Sequence, residues 1–175
     1  NAYYYGGDRS SVKASQITTA DNAAVNINNR CTTGSALIVK GGETLNITDN
    51  SSVNVFSPRA NQYALKADDE NALVHIEDSG SLTVTTDGGT TATNAFSVYD
   101  LLVEDNGSLN VNGNVPVNAL LIKNSFLATD SASVSAVNSS TVVSSCGFFA
   151  DEGATALVDG NASCSFAGAY GANAP

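Results

Sequence analysis

A chain of 175 residues with 17 Asp and Glu against 7 Lys and Arg carries a formal charge of -10, a balance that repels phosphate backbones and argues against a nucleic-acid partner. It has no Met or Trp and a single His, and its excess of Asn, Ser, Thr, Val and Gly favours strands and turns over helices. No apolar run approaches the roughly 18 residues of a membrane-spanning helix, so membrane insertion is not expected.

Six gapless segments share one pattern: residues 17–27, 45–55, 74–84, 101–111, 126–136 and 156–166. With few exceptions each reads apolar, any, apolar, any, Asp, two turn residues, a small residue, apolar, polar, apolar. In chain order the corners fall at Asp21, Asp49, Asp78, Asp105 and Asp130, and at Gly160 where the Asp slips to Asp159. Before the corners lie the pairs Ile17/Thr19, Leu45/Ile47, Val74/Ile76, Leu101/Val103, Phe126/Ala128 and Ala156/Val158. After them lie Val25/Ile27, Val53/Val55, Leu82/Val84, Leu109/Val111, Val134/Ala136 and Cys164/Phe166. One residue separates the members of each pair, which is the period of a strand with one buried face, and Asp with its Asn, Ser or Gly followers supplies the turn.

A third apolar stretch precedes most units, at 36–39, 64–65, 95–98, 119–122 and 148–150. Self-similarity at this period marks a solenoid, because one unit cannot bury its apolar face until a neighbour stacks on it. Three strands per turn of roughly 28 residues predict an all-β fold, a parallel β-helix of about six rungs with strands about 4.8 Å apart. A single domain spans 1–175, with 1–14 as an N-terminal cap or contact segment, rungs over 15–167 and a C-terminal tail over 168–175.

The outward columns divide into two kinds. After the corners they read Asn26, Asn54, Thr83, Asn110, Ser135 and Ser165, a polar ladder; before the corners they read Thr18, Asn46 and His75, then Leu102, Leu127 and Leu157. Three stacked leucines on a solvent face make an apolar stripe of the kind that marks a contact surface. The low-complexity termini add Tyr3, Tyr4, Tyr5 and Tyr170 as candidate interface residues.

Cys31, Cys146 and Cys164 are candidates for disulfide bonding and odd in number, so at least one is free or bonded to another chain. Cys164 occupies an inward column, where a small buried hydrophobe also fits. Cys31 lies about four rungs, or about 20 Å, from the other two, against the about 6 Å between Cα atoms that a disulfide allows. In a straight rod it reaches a partner only across a chain boundary.

Candidate chemistry is sparse. The Asp column puts carboxylates one rung apart, a spacing at which calcium is conceivable, but Asp is also the ordinary residue of such corners and no cofactor or metal is expected. Asp68, Asp69, Glu70, Asp151 and Glu152 read as solvated loop charges. His75, between inward Val74 and Ile76, faces solvent with no Ser or Cys nucleophile in register, so no catalytic residue is expected.

Motifs such as residues 101–111, Leu-Leu-Val-Glu-Asp-Asn-Gly-Ser-Leu-Asn-Val, resemble those of right-handed parallel β-helix surface proteins of prokaryotes, the pectate-lyase-like adhesive, stalk or sheath-forming kind. The resemblance covers roughly residues 15–167. It implies a right-handed solenoid and an extracellular role in adhesion, polysaccharide binding or the building of fibres and sheaths. Enzymes of this fold look longer and carry an Asp/Lys/Arg cluster on one face, which has no counterpart beside this Asp column.

The expectation is therefore a secreted, non-enzymatic structural protein, extracellular or at the cell surface, that assembles with copies of itself. An adhesive or polysaccharide-binding module of a larger surface protein is the alternative. The start at Asn1, not Met, fits a mature secreted chain or an excised piece.

Overall fold

A computed structural model describes residues 2–6, 12–29, 34–58, 63–88, 94–170 and 172–173. Strands β1 (Ala2–Gly6), β2 (Val12–Thr19) and β3 (Ala24–Asn29) open the stack, followed by β4 (Leu37–Ile47) and β5 (Ser52–Ser57). The next layers are β6 (Leu65–Ala67), β7 (Leu73–Ile76) and β8 (Ser81–Thr86), then β9 (Asn94–Val103) and β10 (Ser108–Gly113). Strands β11 (Asn118–Ala128) and β12 (Ser133–Asn138) precede β13 (Cys146–Ala150), β14 (Thr155–Val158), β15 (Ser163–Ala167) and β16 (Ala172–Asn173).

Every pairing is parallel and joins equivalents from successive layers, so the molecule is a parallel β-solenoid of about five turns. The count differs slightly from the predicted six rungs, while the fold class is the predicted one. One sheet orders β1-β3-β5-β8-β10-β12-β15 along one face. The other wraps the remaining two faces, because β4, β9 and β11 each run through both. These strands bend at a register shift, as between Ile122 and Ser125 of β11, where an irregularity lets a strand turn without ending. Among the described residues there is no helix, and so none long and apolar enough to cross a membrane.

The register is the one the repeat predicts: Leu45 pairs with Ile17 and Val74, and Leu109 with Leu82 and Val134. Leu45, Ile76, Leu82, Leu101, Leu109, Leu120 and Ile122 are essentially sealed from water, each burial favouring the fold by about 1.5–3 kcal/mol. Thr19, the polar member of its column, is also buried and shares a 2.9 Å hydrogen bond with Ser51. Toward the last turn the column ends in a ring cluster, with Phe148 stacked on Phe166 at 4.6 Å and Phe126 tilted against Phe148 at 5.7 Å.

The corners explain the Asp column. Asp21, Asp49, Asp78, Asp105 and Asp130 all take φ between 54° and 59°, a left-handed conformation that Asp tolerates better than most residues. Gly160 takes the sixth corner at φ 63°, where a Cβ would come within 2.9 Å of the Asp130 backbone nitrogen. Each corner is closed by a backbone bond, such as Gly80 N–H to Glu77 C=O at 2.9 Å, and tied to the next layer by another, such as Asn106 N–H to Asp78 C=O at 2.7 Å. The Asp49 carboxylate also accepts the Asp21 N–H at 2.9 Å.

The ends depart from expectation. The described parts of residues 1–14, the segment anticipated as a cap or contact, contribute strands: Ala2 pairs with Val25 and Val12 with Leu37. In the tail, β16 pairs with β13. Ala156 and Val158, predicted inward, are exposed, and Cys164 and Phe166 are only half-buried. The cause is stacking: among the described residues β14 pairs only with β11 and β15 only with β12, so nothing covers their other edge.

Substituting Leu109, 1% exposed, with Asp buries an unpaired charge whose cost rivals the total stability of a small domain. Leu109→Asp is expected to abolish the folded far-UV circular dichroism spectrum, and Leu82→Asp likewise. Asn110→Asp, one residue along on the exposed face, is expected to fold normally; equal tolerance of both would refute the register.

Candidate functional site

The face formed by the second half of β4, β7 and the second halves of β9 and β11 concentrates the unusual side chains. Its outward ladder runs in register through Thr18, Asn46, His75, Leu102, Leu127 and Leu157. Between His75 and Leu102 it changes from polar to apolar.

In the polar half, His75 does not stand free in solvent as its position predicts. Its Nε2 donates to Glu104 Oε1 at 2.7 Å and lies 3.8 Å from Glu77 Oε2. The three side chains are 19%, 31% and 29% exposed respectively, half-sheltered by one another. Asn46, one layer away, donates from Nδ2 to Glu77 Oε1 at 3.4 Å, while its Oδ1 is buried and has no hydrogen-bond partner. The backbone fixes this arrangement: Glu77 and Glu104 follow β7 and β9 directly, with N–H bonds to Ile47 C=O at 3.0 Å and Ile76 C=O at 2.9 Å. The donor atoms of His75, Glu77 and Glu104 all lie within 4.8 Å of one another.

Sequence reasoning overlooked this cluster although the columns contained it. Glu77 and Glu104 immediately precede the successive corners Asp78 and Asp105, and His75 lies two residues before Glu77. That places all three outward on adjacent layers.

In the apolar half, Leu102 and Leu127 are half-buried and Leu157 is 56% exposed. Tyr170 is exposed, whereas Tyr63 and Tyr99 are half-buried. Tyr3, Tyr4 and Tyr5 lie on β1 in register with Asn26, Ile27 and Asn28. Beside Tyr170 an open groove of about 450 Å³ is lined by Asn118, Leu121, Cys146, Phe149 and Asp151 among others.

The acidic loops are not simply solvated. Lys66 pairs with Asp68 and Asp69, both at 2.8 Å, and Asp68 also accepts from Ser97; Lys123 pairs with Asp151 at 2.7 Å. Burial alone would lower the Lys66 pKa, but its hydrogen bonds and the charges of Asp68 and Asp69 outweigh this and raise it. Lys123 is raised chiefly by its hydrogen bond to Asp151.

Of the disulfide candidates, Cys146 and Cys164 are free thiols, so these two do not pair with each other; Cys31 lies outside the described residues. Burial raises the pKa of both described thiols, because a thiolate loses solvation there. Cys146, the buried one, is therefore expected to resist iodoacetamide at neutral pH and to label fully only in denaturant, with half-buried Cys164 labelling slowly in the native chain. Peptide mapping checks this; rapid native labelling of Cys146 would contradict its burial.

No protein-family model, curated protein or solved structure matches this chain. Its class is defined by structure alone, as a parallel β-solenoid.

Proposed function

We propose that the protein is a secreted, non-enzymatic structural component that self-assembles into an extracellular fibre, sheath or coat, in the manner of pectate-lyase-like surface solenoids. The observation that carries this reading is the Leu102, Leu127, Leu157 ladder, which ends on β14, a strand with all four residues exposed and, among the described residues, one unpaired edge. Removing apolar surface from water is favourable by about 25 cal/mol per Å². An unpaired strand edge is a template for another strand. A second copy laid along this face covers the leucines, and one stacked end to end on β14 pairs its free edge.

Sedimentation velocity tests the proposal. The wild-type chain is expected to associate as concentration rises. Leu157→Lys with Val158→Lys is expected to leave a soluble monomer with an unchanged circular dichroism spectrum, and Leu102, Leu127 and Leu157 changed together to Ser to do the same. A wild-type chain that stays monomeric at high concentration would overturn it.

The groove beside Tyr170 favours the alternative, an adhesive or polysaccharide-binding module. An exposed aromatic ring beside an amide and a carboxylate, Asn118 and Asp151, offers both stacking and hydrogen bonds to a sugar. On that reading a polysaccharide ligand is retained by the wild-type chain and lost on Tyr170→Ala.

A further inference from the structure

We propose that His75, Glu77 and Glu104 form a binding site for a divalent first-row transition ion of the Zn²⁺ type. The site is separate from the apolar ladder and goes beyond the assembly reading.

The donor set comes first. An imidazole nitrogen with two carboxylates suits a borderline transition ion; calcium or magnesium would prefer oxygen alone. Zinc takes nitrogen and oxygen ligands at about 2.0–2.2 Å, which places tetrahedral neighbours about 3.4 Å apart. The present separations from His75 Nε2, 2.7 Å to Glu104 and 3.8 Å to Glu77, bracket that value. Small rotations of outward side chains suffice, with no movement of the backbone, whose ladder bonds hold Glu77 and Glu104 on adjacent layers.

Electrostatics points the same way. Two glutamates sit one layer apart in a chain of formal charge -10. Among the described residues neither has a Lys or Arg partner, and the ion pairs of Lys66 and Lys123 are with aspartates elsewhere. A divalent ion relieves the repulsion between the glutamates and replaces the single His75 proton that now bridges to Glu104.

Asn46 supplies an independent indication. Its Nδ2 holds Glu77, yet its Oδ1 is a buried acceptor with no donor. Buried polar groups without partners are uncommon and call for an explanation. With three protein ligands the ion retains an open position for water, and that water is a donor of the kind Oδ1 lacks.

The experiment uses the full chain and Zn²⁺ alone, followed by calorimetry and by NMR of the imidazole. Because the chain has a single His, its ring signals report on the site in the unmodified protein. Zn²⁺ is expected to bind one equivalent at this face and to shift the His75 ring signals in step. His75→Gln and Glu104→Gln, each removing a ligand, are expected to weaken binding by at least the roughly 10–100-fold typical of losing an outer-shell partner, while Asp130→Asn, a corner residue that Asn can replace, leaves it unchanged. Co²⁺ as a spectroscopic substitute is expected to bind without thiolate charge-transfer absorption, which separates this site from the cysteines. His75 signals that do not move on titration, or Zn²⁺ affinity equal in all variants, would overturn the assignment and leave the cluster a simple hydrogen-bonded ion pair.

Discussion

Parallel pairing without offset sets each residue about 4.8 Å from its equivalents in the turns before and after, so every column of the solenoid is a line of forced neighbours. For inward columns this demands side chains of similar size, which is why Leu45, Val74 and Leu101 follow one another. For outward columns it brings like to like. Asparagines profit, since a carboxamide both donates and accepts: outward Asn54 bonds to Asn26 at 3.1 Å, as buried Asn118 does to Asn94 at 2.7 Å. Leucines profit by covering one another. Glutamates do not: the backbone ladder places Glu77 and Glu104 on adjacent layers, and His75 reaches the space between them.

Keeping that register requires a corner of constant shape. A left-handed residue at each Asp position provides it, with one backbone bond closing the turn and a second reaching the next layer. The second corner is looser. In some layers it is a bulge within a continuous strand, and in others a true turn stabilised by the Lys66 or Lys123 ion pairs. The face between the two corners presents side chains on a rigid grid.

That grid explains how one face carries two chemistries. Its backbone is uniform from β2 to β14, but the outward column passes from Asn46 and His75 to Leu102 and Leu127 between adjacent layers. The polar half is sheltered by mutual contact. The apolar half grows more exposed toward β14, where no further strand lies against it among the described residues.

The amino-acid sequence by itself determined the columns, the corners and the leucine ladder, because alternation within a strand and the spacing of Asp are local properties that repeat. It also contained the positions of Glu77, Glu104 and His75. Their convergence was decided by tertiary structure, since it depends on rotamers and on which outward side chains lean toward the same gap. The same holds for the Lys123 to Asp151 pair, whose partners are 28 residues apart. Only the stack decided that Ala156 and Val158, inward by pattern, are exposed. A periodic sequence specifies which way a side chain points, but burial requires a layer on both sides, and that depends on what is stacked above.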